Sequence, residues 1–159
     1  DRLVNGIETA LVIQRKFIKG NFEAMEHDGD YYDAGTFEIF ASRIIQNDSL
    51  FRSHVAEYTT KLHVSDERRG FVRTASNDWY DGQEWVFLDT RLASAYCCFN
   101  EPQKAKVMLD FITAQAELNF HLIPELYDRN SAVYEGAIPM VGFGAGTYLL
   151  ALMDYYHHR

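Results

Sequence analysis

Apolar residues recur at helical spacing along most of the chain, and no stretch alternates with the two-residue period of a strand at comparable strength. That periodicity constrains the chain to an all-α fold. Leu3, Ile7, Ala10, Leu11 and Ile18 predict a first helix, stopped at Gly20-Asn21. Phe37, Phe40, Ala41, Ile44 and Ile45 predict a second. Phe51, Val55, Tyr58 and Leu62 predict a third, entered through Asn47, Asp48 or Ser49, all good N-caps. Trp85, Leu88, Leu92, Ala95 and Phe99 predict a fourth. Ala105, Met108, Leu109, Ile112 and Ala116 predict a fifth, from Glu101 to about Leu118. Asn100 as cap, Pro102 in the first turn and Gln103 three residues after the cap signal its entry. A sixth follows Pro139 and carries Tyr148, Leu149, Leu152, Met153 and Tyr156. Arg69 to Thr74 could form a short extended piece.

With 159 residues the chain is long enough for one domain, 1–159, with a real core. Six helices joined by unequal loops read as three helical hairpins. Two connections are long, His63 to Glu84 and Asn119 to Ile138, and loops of that length inside a compact domain are usually functional. The net charge of -8 argues against a nucleic-acid partner, whose backbone needs a basic face. No window of about 18 apolar residues exists, so a membrane span is not expected. Cys97 and Cys98 are adjacent and ill-placed for a disulfide, and read as two small buried residues in a helix. The chain starts at Asp1, so the compartment is left unassigned, with a lean to the cytoplasm.

Several weaker patterns have plain explanations. Asp28, Asp30 and Asp33 with Gly29 lack the distal Glu of a Ca²⁺ loop and fit a turn and helix cap. Gly142, Gly144 and Gly146 have no Lys partner and do not make a phosphate cradle. The His residues lack zinc-ligand spacing, so neither a metal nor a cofactor is expected.

The two long loops carry the chemistry-bearing residues. The first packs Arg73, Asp78, Trp79, Tyr80 and Trp85 into a short span. A guanidinium fork can clamp hydroxyls, a carboxylate accepts from them, and an indole gives a flat stacking face, which together suit a pyranose. The same composition fits a loop anchored by its aromatics, with an Arg–Asp pair as a staple. The second loop holds Pro124-Glu125, and a lone loop Glu is as readily a solvated surface residue.

The order of these residues resembles glycoside hydrolase family 15, the glucoamylase family. Its members carry an Arg-Tyr-x-x-Asp-x-Tyr-x-Gly-x-x-Trp segment, then Thr-x-x-Leu-Ala on a helix, then Pro-Glu-Gln, then Pro-Leu-x-Trp-Ser-x-Ala. Here Arg73, Asp78, Tyr80, Gly82 and Trp85 stand in matching order. Thr90, Leu92 and Ala93 follow, then Pro124-Glu125, then Pro139-Met140 and Ala145. The resemblance spans roughly 33–151. It implies an (α/α)6 toroid of helical hairpins, of which this chain supplies about three. It also implies inverting hydrolysis of α-linked glucosides of the glucoamylase, isomaltose-dextran glucohydrolase or trehalase type. In that scheme two carboxyl groups about 6.5–9.5 Å apart flank a water. The Pro-Glu position makes Glu125 the general base, and Arg73, Asp78, Tyr80 and Trp85 become sugar-binding residues.

The sequence departs from the family pattern in places. Leu126 replaces the Gln after the base, Thr74 the Tyr after the Arg, and Glu84 the Pro before the Trp. The last motif reads Met140-Val-Gly-Phe-Gly-Ala145, without the Trp-Ser pair. Nothing around Glu23, Glu26, Asp28 or Asp30 matches the family's acid motif, so no general acid is assigned. The chain is expected to be one piece of a longer enzyme, or to pair with another chain that supplies the remaining half of the barrel. The expected substrate is an oligosaccharide or glucoside. The alternative from another class is a catalytically silent sugar-binding or regulatory domain of the same fold.

Overall fold

The computed structural model describes residues 32–76, 78–138 and 143–158. The expectations placed on the first helix, on Glu23, Glu26, Asp28 and Asp30, and on Pro139 and Met140 lie outside the described residues.

The described chain is mostly helical. A single 3-10 turn, Ala34–Thr36, leads into α1 (Phe37–Ala41). Then come α2 (Asp48–Leu62), β1 (Glu84–Trp85), α3 (Val86–Cys98), α4 (Pro102–Leu118), β2 (Leu126–Tyr127), β3 (Tyr134–Glu135) and α5 (Phe143–His157). Helix α3 is the centre of the fold and packs against α1, α4 and α5. Nearly every side chain from Val86 to Cys97 is buried. Its sequence explains this: small and apolar residues run all round the helix, which marks a helix enclosed by others rather than one lying on a surface. Cys97 and Cys98 fall on it as free thiols; Cys97 is buried as expected, whereas Cys98 is only partly buried.

Helix α2 buries Phe51, His54, Val55, Tyr58 and Leu62, one stripe at three- and four-residue spacing. Of its three candidate caps, Asn47 is the one used, its side chain accepting from the Leu50 N–H at 2.9 Å. Phe51 stacks on Phe99 at the end of α3, with ring centroids 4.3 Å apart. Phe40 meets both Phe51 and Phe99 edge-on. Asp33 caps the 3-10 turn through the Gly35 N–H at 2.8 Å, the cap role expected for that acidic run.

Three expectations need correction. The second helix ends at Ala41, so Ile44 and Ile45 lie beyond it. Arg43 takes a positive φ of 58°, and the Ile44 N–H reaches back to the Ile39 carbonyl at 3.1 Å, closing the helix with a Schellman turn. Asn100 does not cap the helix that follows it. It has φ of 64° and closes α3 in the same way, with the Glu101 N–H on the Tyr96 carbonyl at 2.8 Å. Glu101 takes the N-cap place of α4 without a side-chain cap bond, and Pro102 opens the helix as expected.

The third correction is a small antiparallel sheet, in the order β1-β2-β3. Glu84 pairs with Tyr127 and Trp85 with Leu126; Leu126 in turn pairs with Glu135 and Tyr127 with Tyr134. Directly paired residues share a face. Trp85, Leu126 and Glu135 therefore form one face, and Glu84, Tyr127 and Tyr134 the other. The Arg69 to Thr74 stretch is extended, with bridges from Phe71 to His63, Val72 to Glu84 and Thr74 to Asp33. Among the described residues no helix is long and apolar enough to cross a membrane.

Candidate active site

The sheet joins the two long loops, because β1 closes the first and β2 lies inside the second. Val86, the first residue of α3, donates its N–H to the Glu125 carbonyl at 3.2 Å, and the Glu125 N–H donates to Ala137 at 2.9 Å. The Glu125 backbone is thus held between a helix N-terminus and the strand partner across the turn. Its side chain accepts twice: Oε1 from the Tyr80 hydroxyl, and Oε2 from the Ala137 N–H at 2.9 Å. An ionised carboxylate is acceptor-only and can take both bonds with lone pairs remaining. Gly136 has φ of 68°, and a Cβ there would come 2.5 Å from Glu125 Oε2. The conformation favours glycine, and the close approach leaves no room for a Cβ.

Tyr80 packs edge-on to Trp85, with ring centroids 4.8 Å apart, and the Trp85 indole N–H donates to the Tyr80 carbonyl at 3.2 Å. The Arg73 guanidinium lies over the Trp85 ring at 5.2 Å. Arg73 is also paired with Asp81 at 3.0 Å and with Asp33 at 3.5 Å. Four residues from the two loops, Arg73, Tyr80, Trp85 and Glu125, therefore form one continuous cluster. The hydrogen bond to the Glu125 carboxylate, with partial burial and the carboxylate charge, pushes the Tyr80 phenol up to about 12. Tyr80 therefore keeps its proton at neutral pH and donates the hydrogen bond.

Asp78 is placed differently. Its Oδ1 accepts from the backbone N–H groups of Tyr80 and Asp81 at 2.9 and 2.8 Å, and its Oδ2 from the Ser76 hydroxyl. The Ser76 bond, with the backbone donors, holds its carboxyl below the usual range. It shapes the turn that aims Tyr80, and the guanidinium of Arg73 pairs with Asp81 and Asp33 instead.

Two features escaped sequence reasoning. Trp79, more than half exposed at 58%, donates its indole N–H to Glu135 Oε2 at 2.7 Å, linking the first loop to β3. Behind the sheet, Arg69 and Glu84 form a buried ion pair, with Arg69 Nε on Glu84 Oε2 at 2.6 Å. Glu84 Oε1 accepts from the Gly70 N–H at 3.0 Å, and Arg69 reaches the Asp128 carbonyl at 2.7 Å. Asp89, fully buried beside them, accepts the Phe71 N–H at 2.9 Å. Burial, then the Glu84 charge, drives its carboxyl well above the ordinary range. Protonation of Asp89 is thereby favoured, while Arg69 pairs with Glu84. A Cβ on Gly70 would come 1.7 Å from Asp89 Oδ1, so the backbone passes where no side chain fits. This network explains why Glu84 stands immediately before Trp85.

A groove of about 590 Å³ lies elsewhere, between α2 and α4, floored by Phe51, Val55, Tyr96 and Met108. Three of its charged residues pair with one another, Glu101 with both Arg52 and Lys104. It contains none of the four clustered residues, which converge at Glu125 instead. Among the described residues no group of His, Cys, Asp and Glu is arranged to hold a metal ion. Comparison with protein-family models, curated proteins and solved structures finds no significant match to the chain.

Proposed function

We propose that this chain carries the base side of an inverting glycoside hydrolase acting on α-linked glucosides, with Glu125 as general base. The single observation that carries the reading is the cluster itself. A loop carboxylate sits bonded to Tyr80, which packs on Trp85 beneath the Arg73 guanidinium. Those are the residue types a pyranose requires, and they come from the positions that resemble the glucoamylase family. In this reading Arg73 and Tyr80 bind hydroxyls, Trp85 offers its ring, and Asp78 supports Tyr80 through the turn. Glu125 uses a remaining lone pair to take a proton from water as it attacks the anomeric carbon. The glycosidic oxygen is protonated by a general acid from outside the described residues.

The frame of this proposal is a toroid of helical hairpins, about half of it supplied here. Leu149, Leu150 and Met153 stand exposed on α5, an apolar edge suited to a further hairpin from the same polypeptide or another chain. The type of α-glucosidase, whether glucoamylase, isomaltose-dextran glucohydrolase or trehalase, is left open by this reading.

One observation favours a second reading. Both Glu125 oxygens already accept bonds from within the protein, so the side chain also serves as a staple between the loops. A catalytically silent sugar-binding domain would keep that staple without using the base. Glu125→Gln separates the two, since the amide preserves most of the geometry but cannot take the proton. In the closed, complete enzyme, hydrolysis of α-glucosides should fall about 10²–10⁴-fold while sugar binding persists. Unchanged hydrolysis would sink the base assignment.

A further inference from the structure

Trp79 is an exposed indole held in place. An indole N–H at the surface can be satisfied by water, yet here it is committed to Glu135. That bond fixes a large apolar ring in solvent, where burial gives it no compensating stability. Its other neighbour is Tyr80, with centroids 5.8 Å apart and planes tilted by 35°. The three rings Trp79, Tyr80 and Trp85 thus form a file, most exposed at Trp79 and half-buried at Trp85. The sheet register puts Glu135 on the same face as Trp85, with buried Leu126 between them as a floor. Glu135 Oε1 takes no hydrogen bond among the described residues, so one carboxylate oxygen is left for a ligand hydroxyl.

We propose that Trp79 and Glu135 form a second sugar-contacting subsite, which takes the glucosyl unit next to the one held at Trp85 and so favours oligosaccharides over single sugars. This rests on the sugar-site reading of the Glu125 cluster and extends it outward. The indole supplies the flat face for the ring C–H groups, and the carboxylate supplies acceptors for the hydroxyls. Leu126 fits this role, because an apolar residue paired with both Trp85 and Glu135 offers the Glu135 carboxylate no competing polar partner. If the pair only staples the first loop to β3, its removal has no reason to discriminate by sugar length.

The test is equilibrium binding to the full chain by titration calorimetry, with glucose and with α-1,4- and α-1,6-linked glucose tetrasaccharides. Trp79→Ala should weaken the tetrasaccharide about tenfold and leave glucose within about twofold. Trp79→Phe should recover most of the loss. Glu135→Gln, whose amide oxygen still accepts the indole N–H, should stay within about threefold, and Glu135→Ala should fall between it and Trp79→Ala. Trp79 is exposed, so these variants should keep the wild-type circular dichroism. Equal weakening for glucose and tetrasaccharide, or none for either, would overturn the second subsite and leave the Glu125 reading standing. A wild-type protein that binds neither length in either linkage would overturn both, with the sugar-site reading failing first.

Discussion

Strand β1 separates two clusters built from the same chemistry. On one side Arg69, Glu84 and Asp89 are sealed from water, with the Arg69 and Glu84 side chains 5% and 0% exposed. On the other, Arg73 and Asp81 remain 37% and 32% exposed. Adjacent residues of a strand point to opposite faces, so Glu84 goes inward and Trp85 outward. In the sealed cluster each polar group must find a partner inside the protein, and losing one leaves a buried charge alone. In the open cluster water screens the pair and can replace either member, so its bonds contribute little to stability and can be exchanged for a ligand's hydroxyls. Guanidinium and carboxylate thus cross-link the fold on one face and stay open to solvent on the other.

Three substitutions test that contrast, in falling order of expected effect. Arg69→Met strands the Glu84 charge in the core and should destabilise by about 3–5 kcal/mol, read from urea unfolding. A loss below about 1 kcal/mol would mean that the cluster is not sealed. Asp89→Asn should act in the opposite direction. The native state favours protonated Asp89, whereas in the unfolded chain it ionises near the ordinary value of about 3.9. At this group the native state therefore binds more protons above that pH, and the contribution of Asp89 to stability falls as pH rises from about 4 toward the raised native pKa. The amide can donate to Glu84 and accept from Phe71 without titrating. The variant should match wild type near pH 4 and exceed it at pH 7 in the same unfolding assay; a variant less stable at pH 7 breaks the argument. Tyr80→Phe, on the open side, should shift stability by less than about 1 kcal/mol. In the complete enzyme it should still slow turnover severalfold, by releasing one of the two donors that orient Glu125. A large stability loss would move Tyr80 from the binding surface into the scaffold.

The helices were legible because their signal is periodic and long. Phe51, Val55, Tyr58 and Leu62 show the stripe in a single glance at the sequence, and α2 buries that stripe. The small strands were not legible, since two residues cannot display a period. Their pairing of Glu84 with Tyr127 depends on tertiary contact, with no local cue. The Asn100 misreading has a local cause. Asn suits both an N-cap and a left-handed C-terminal turn, and a short link between α3 and α4 presents both uses at one position. In the site, the sequence singled out both loops and the residues that cluster in them. It did not pair Tyr80 with Glu125 or Trp79 with Glu135, which are far apart in the chain. The buried triad left one weak trace: charged Glu84 and Asp89 flanking the apolar start of a helix, Val86-Phe87-Leu88.

The bond from the Val86 N–H to the Glu125 carbonyl has a consequence for motion. The peptide of Glu125 is the acceptor for the first donor of the central helix, a group that no residue within the helix can satisfy. Swinging that peptide away would unseat the opening turn of α3 and, through it, the helices packed around it. Glu125 is therefore anchored to the most enclosed helix of the described chain, and movement about the cluster falls first to the exposed rings of the first loop rather than to the Glu125 peptide.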